Sequence, residues 1–167
     1  QGLTAVVLGL DIDTVRDICA KNNCDIANDN CDGQIVISGA KDIVERNMDD
    51  MKNAGARRAM PLALSVPVHC RIQGPAADEM RDALNNTEIK MPTAPLISNK
   101  TCSPLSDPDE IRDALVYQMT HGVRWRESVL AMRDMGIDET IEIGPGAVLT
   151  GLIKRICPDM TTTKLEI

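Results

Sequence analysis

The sequence predicts an α/β protein built in two parts, and three observations carry that expectation. Short runs rich in Val and Ile alternate with longer stretches whose apolar residues recur at helical spacing. Up to about residue 65 these runs follow the order strand, helix, strand, strand, helix, strand. From residue 66 onward helices dominate, with only two strand-like runs between them.

The elements follow in order. TAVVLGL (4–10) is a short apolar run and reads as a strand. In DIDTVRDICAKN (11–22), Ile12, Val15, Ile18 and Cys19 share a helical face, and Asp11 or Asp13 is the natural N-cap. CDIANDN (24–30) is a weaker strand, running into NDNCDG, which is dense in turn formers. GQIVISGA (33–40) is a strong strand. KDIVERNMDDMKNAG (41–55) places Ile43, Val44, Met48 and Met51 on one helical face, with Gly55 as its stop. RRAMPLALS (57–65) reads as a fourth strand. This is the ferredoxin-like split β-α-β order, and it assigns residues 3–65 to one subdomain.

In the second part, GPAADEMRDALNN (74–86) is a helix, APLISNK (94–100) a short strand, and SDPDEIRDALVYQMTHG (106–122) a helix. The last has Ser106 or Asp107 as cap, Pro108 in its first turn and Gly122 as its stop. RWRESVLAMRDMG (124–136) and AVLTGLIKRIC (147–157) are helices on either side of the strand and tight turn TIEIGPG (140–146). Two strands are too few for an independent sheet. Residues 66–167 therefore read as the edge of a larger sheet whose other strands lie elsewhere.

Composition narrows the function classes. Hydrophobic residues make up 43% of 167, enough to bury a core, but one Trp, one Tyr and no Phe force that core to be aliphatic. A formal net charge of -7 has the wrong sign for a general nucleic-acid binder, although a local basic patch can still dock an acidic partner. No apolar run reaches the ~18 residues of a membrane span. The six cysteines lie scattered, without zinc-like pairing, and read as reduced thiols of a cytoplasmic or organelle-matrix protein. The chain begins with Gln and runs straight into a strand pattern, which suggests a piece of a longer protein.

LSVPVHC (64–70) holds the first candidate functional residue. Apolar Leu64, Val66 and Val68 point to a buried or half-buried segment, Pro67 interrupts it, and His69 stands just past the break. A histidine there is either a general base or a core histidine satisfied by a backbone carbonyl.

NDNCDGQIVISG, MPLALSVPVHC, GVRWRESVLAM and EIGPGAVLTGLIKRI occur in this order. Together they resemble the malonyl-CoA:acyl carrier protein transacylases of fatty-acid synthesis and the acyltransferase domains of polyketide synthases, from about Gly2 to Ile156. The resemblance implies a ferredoxin-like subdomain inserted in an α/β-hydrolase-like domain, with residues 66–167 as the C-terminal part of the latter. It implies transfer of malonyl from malonyl-CoA to the thiol of acyl carrier protein through an acyl-serine, with no metal and no other cofactor. It makes His69 the catalytic histidine and Gln118 the residue whose side-chain or nearby backbone carbonyl orients it. Val68 falls in the acyl pocket, where the family usually has Phe or Ser. An asparagine of the stretch holding Asn28 and Asn30 lies near the channel mouth, although turn chemistry explains both equally well. Arg57, Arg58, Lys154 and Arg155 fall where the family docks its acidic carrier protein or CoA phosphates; solvated surface charge is the plainer account.

No G-x-S-x-G nucleophile elbow occurs in the sequence, so the resemblance implies an upstream segment carrying the serine. Two other readings compete: an inactive fragment of such an enzyme, and an unrelated ferredoxin-like binding module. GPG at 144–146 lacks phosphate-loop spacing and reads as a tight connection, yet the helix that follows it opens an N-terminus to an anion. His121, at a helix end, reads as a structural cap.

Overall fold

The computed structural model describes residues 2–64 and 66–166. β1 (Gly2–Leu8), α1 (Ile12–Asn22), β2 (Asp25–Cys31), β3 (Gln34–Ala40), α2 (Lys41–Asn53) and β4 (Arg58–Pro61) come first. Their strands form one antiparallel sheet in the order β2-β3-β1-β4, the connectivity of a split β-α-β unit. Alternation along the strands explains the core. Ala5 and Val7 of β1 and Ile35 and Ile37 of β3 point to one face, where Val15 and Cys19 of α1 and Val44, Met48 and Met51 of α2 bury them.

Asp11 caps α1 by accepting the Thr14 N–H at 2.8 Å. Gly55, at φ 99°, ends the turn after α2 in the left-handed region open to glycine. The opposite face of the sheet is also covered. Val36 and Ser38 are buried, and the Thr4 and Ser38 hydroxyls lie 3.1 Å apart.

The second part begins with a single 3-10 turn (Arg71–Gln73) and α3 (Gly74–Asn85). β5 (Leu96–Ile97) and β6 (Pro104–Leu105) pair as a minimal antiparallel ribbon. α4 (Pro108–Thr120) and α5 (Trp125–Asp134) follow, then β7 (Glu139–Ile143), α6 (Val148–Ile156) and β8 (Thr161–Leu165). Leu105, Ile111 and Ala114 form one small core, and Val129, Ile153, Cys157 and Met160 another.

Four expectations are corrected. The fourth strand stops at Pro61, although Leu62 still donates its N–H to the Thr4 carbonyl at 2.9 Å; Ser65 lies outside the described residues, and Leu64 and Val66 are exposed rather than buried. Asn28 and Asn30 do not flank a turn: they lie inside β2, which bulges twice, and only Asp32 and Gly33 make the connection. The expected strand at 94–100 shrinks to two residues. β8 was not expected, since TTTKL has no apolar alternation; its β-branched threonines favour the pleated surface instead.

β7 and β8 run parallel, Glu139 opposite Thr161 through Ile143 opposite Leu165. Their pattern is inverted for a sheet with one covered face. Thr140, Glu142, Thr162 and Lys164 are half-buried, while Ile141, Ile143 and Leu165 are exposed, Ile143 by 62%.

The two parts interlock along the edge of β2. Val123 pairs with it through Val123 N–H to Ala27 O at 2.8 Å and Asp29 N–H to Val123 O at 2.9 Å. Gly122 is required there by space: a Cβ would stand 2.3 Å from the Ile26 carbonyl oxygen. Arg126 of α5 then seals the contact by an ion pair to buried Asp29 at 2.9 Å.

Candidate functional site

His69 sits in the connection between β4 and α3, half-buried, with φ 52°. That left-handed conformation is uncommon for a residue with a Cβ. It turns the imidazole toward α4, where Nδ1 lies 2.8 Å from the main-chain carbonyl oxygen of Gln118. A carbonyl can only accept, so Nδ1 carries the proton and the neutral ring leaves Nε2 as a bare acceptor. The orienting atom is therefore the Gln118 backbone, not its side chain. The Gln118 side chain faces elsewhere: its Oε1 accepts from Asn99 Nδ2 at 3.1 Å.

Around the ring, Val66, Val68, His69, Gln73 and Met119 line a cavity of about 230 Å3. Val68 thus shares a cavity with the imidazole. Gln73 spans the loop by donating its side-chain N–H to the Pro67 carbonyl. Cys70 is fully buried. Simple alternation along an extended strand does not account for its direction, because His69 breaks the extended conformation. Arg71 is tied back to β2: its main-chain N–H reaches Asp25 Oδ2 at 2.9 Å and its Nη2 reaches Asp25 Oδ1 at 2.6 Å. That hydrogen bonding raises the Arg71 pKa above the usual guanidinium value.

The remaining candidates lie apart from this cavity. Asn28 and Asn30 do not line it. Asn28 instead lies opposite Val123, where its neighbours Ala27 and Asp29 make the bridging hydrogen bonds. Arg58 lies opposite Leu8, which is itself opposite Gln34. The Arg57 side chain covers Gly9, and Gly9 donates to the Gly33 carbonyl at 2.9 Å. Arg155 donates to Gln34 Oε1 at 2.6 Å and to the Asp32 carbonyl at 3.2 Å. Arg57, Arg58 and Arg155 are all exposed and therefore gather at one end of the sheet, around the Gly9 and Gly33 corner. Lys154, next to Arg155 on α6, is exposed as well. Arg57, Arg58 and Lys154 make no ion pair among the described residues.

Two sequence expectations meet opposite outcomes. His121 does act as a cap: its Nδ1 lies 3.0 Å from the Tyr117 carbonyl, and its ring stacks on Tyr117 at 3.7 Å. The N-terminus of α6 after GPG is not open to an anion, because Glu142 already fills it. The Glu142 carboxylate accepts from the backbone N–H groups of Leu149 and Thr150 at 3.1 and 2.8 Å; the Thr150 hydroxyl first, then these backbone donors, hold its pKa below the ordinary value.

The six cysteines are free thiols. Cys19 and Cys24 share a hydrogen bond that raises the first and lowers the second. No helix among the described residues is long and apolar enough to cross a membrane.

Sequence reasoning missed Gln73 and Met119, which line the cavity beside the histidine, and the Asp25–Arg71 and Asn99–Gln118 contacts made by residues close to it in the chain or bonded to it. Asp25 and Arg71 are 46 residues apart, and no spacing rule links them.

In sequence and in fold the chain is similar to α/β acyltransferases. It is homologous to the malonyl CoA-acyl carrier protein transacylases over nearly all its length. It is 40% identical to the Escherichia coli K12 malonyl CoA-acyl carrier protein transacylase over 169 aligned residues, covering 99% of this chain and 55% of that protein. The Bacillus subtilis transacylase is 37% identical, with 93% of this chain and 51% of that protein covered. The crystal structure of the Vibrio cholerae acyl carrier protein S-malonyltransferase superposes with a TM-score of 0.95 at 40% identity, covering 98% of this chain and 55% of that one. A malonyl-transacylase in complex with its type II polyketide synthase acyl carrier protein superposes at 0.93, with 39% identity, covering 99% of this chain and 54% of that one. The chain therefore spans about half the length of these relatives. No protein-family model matches it.

Proposed function

We propose that the whole protein transfers malonyl from malonyl-CoA to the phosphopantetheine thiol of acyl carrier protein in the cytoplasm or an organelle matrix. The observation that carries this reading is the 2.8 Å contact between His69 Nδ1 and the Gln118 main-chain carbonyl, which leaves Nε2 free to take a proton. In the first half-reaction Nε2 removes the proton of a serine hydroxyl, and the serine oxygen attacks the thioester carbonyl. The tetrahedral intermediate collapses, the C–S bond breaks, and the imidazolium returns its proton to the CoA sulfur. In the second half the carrier thiol gives its proton to Nε2, attacks the acyl-serine and releases the serine hydroxyl. A carbonyl orients the ring here where other hydrolase-like sites use a carboxylate.

The serine is assigned to a segment outside this chain, within the half of the relatives' length that the chain does not span. The exposed Ile141, Ile143 and Leu165 face supports the companion assignment: the same segment extends the β7–β8 sheet. Residues 3–65 then form the inserted subdomain and 66–167 the end of the larger domain. Val68 and Met119 contact the acyl group, and Asn28 and Asn30 border the channel mouth. The Arg57, Arg58, Lys154 and Arg155 cluster meets the acidic carrier or CoA phosphates, mainly by speeding encounter.

The test is His69→Ala in the whole protein. Malonyl transfer should fall by about 10²–10⁴-fold, the usual contribution of a general acid–base group, while the circular dichroism spectrum stays that of the parent. Transfer at the parental rate by a folded variant would defeat the assignment.

A further inference from the structure

We infer that the Asp25–Arg71 pair is a positioning device that holds His69 in its proton-accepting tautomer. The inference rests on the reading of His69 as a base, but its geometry stands independently. His69 has φ 52°, a conformation that persists in a side-chain-bearing residue only when its surroundings over-determine it. Among the described residues a single hydrogen bond holds the ring itself, Nδ1 to the Gln118 carbonyl. The loop around it must therefore be fixed from outside.

Two anchors do this. Before the ring, the Pro67 carbonyl is held by the Gln73 side chain. After it, Arg71 grips Asp25 with its main-chain N–H at 2.9 Å, Nε at 3.0 Å and Nη2 at 2.6 Å, while Nη1 donates to Asn23. Asp25 opens β2 and is registered opposite Ser38, so it is part of the rigid sheet. The Arg71 side chain is 58% exposed but the Asp25 side chain only 19%. A lone exposed ion pair would be worth little. This one adds a fork geometry and a backbone donor on the same carboxylate. Asp25 thus ties β2 to a point two residues from the imidazole, and Gln118 on α4 receives the ring from the other side.

The test reads the imidazole directly. The chain has two histidines, so long-range ¹H–¹⁵N spectra resolve both rings. His121 serves as the internal control, because it is anchored on Tyr117 and does not touch the pair. In the parent chain His69 should show a single Nδ1–H tautomer. Arg71→Ala should replace that signature by exchange between tautomers and leave His121 unchanged, and Asp25→Asn should do the same. Arg71→Lys keeps the charge without the fork and should recover part of the signature. Should Arg71→Ala not fold, Asp25→Asn and Arg71→Lys decide the matter alone. A folded Arg71→Ala or Asp25→Asn chain whose His69 stays wholly Nδ1–H would overturn the inference. So would equal changes at His69 and His121, which would mean general loosening. Failure of the His69→Ala test would remove the catalytic role and leave this tautomer result standing.

Discussion

Gln118 contributes a backbone oxygen to His69 and a side chain to Asn99, and the two functions separate cleanly by mutation. Gln118→Ala retains the main-chain carbonyl, so the His69 tautomer should be unchanged. It removes the acceptor of the Asn99 amide, and the expected loss is about 1 kcal/mol, the net worth of one neutral hydrogen bond. Urea unfolding checks the stability, and the imidazole ¹⁵N spectrum checks the ring. A variant whose His69 loses its Nδ1–H tautomer would show that the side chain is needed after all. At this scale His69 was legible because a histidine beyond a Val-Pro break fits the resemblance. The resemblance left open whether a side-chain or a backbone carbonyl orients it, since a main-chain carbonyl has no residue type to read. Arg71 carries no local sign of its role, because its partner Asp25 lies 46 residues upstream.

Secondary-structure elements show the same division at their ends. Asp11 and Asp107 cap α1 and α4 from the position just before each helix, which is local chemistry and visible in sequence. Helix α6 has no such cap; Glu142 comes to it from β7, across the Gly144–Gly146 connection. Two backbone N–H donors and the positive helix end favour the ionised carboxylate. Because the folded state lowers the Glu142 pKa, the cap contributes fully above the unfolded carboxylate range and is lost as pH falls through the lower, folded value. Glu142→Gln should therefore lower the urea midpoint at pH 7, and the deficit should shrink when both proteins are unfolded near pH 3. A deficit that is equal at both pH values would mean that charge is not what the cap supplies. Gly122 gives a second example. It reads as a helix stop, but the contact that requires glycine is the Ile26 backbone 96 residues before it in the chain.

Taken as a whole, the molecule has one sheet buried on both faces and another with its apolar face in solvent. Helices α1 and α2 cover the first sheet on one side, while Val36, Thr4 and Ser38 are buried on the other. Exposed Ile141, Ile143 and Leu165 give the second sheet a sticky surface and an open edge. The 167-residue chain should therefore self-associate, and Ile141→Thr with Ile143→Thr should reduce that association while keeping β propensity. Sedimentation velocity over a concentration series reads the effect. A parent chain that stays monomeric throughout, or a variant that associates as strongly, would show that this face does not drive it.

By itself the sequence determined the α/β class, the order of the first six elements, the helix caps supplied by neighbouring residues, and His69 as the residue to test. Each depends on interactions within a few positions, where periodicity and turn chemistry act. Tertiary structure alone decided that a main-chain oxygen orients the imidazole, that Arg71 locks to Asp25, and that Glu142 occupies the α6 N-terminus. It also decided that Asn28 and Asn30 lie inside β2 and that TTTKL becomes a strand. These outcomes depend on where the chain returns in space. β8 gains its backbone partners from β7, and the threonine run carries no sign of that pairing until the two strands lie side by side.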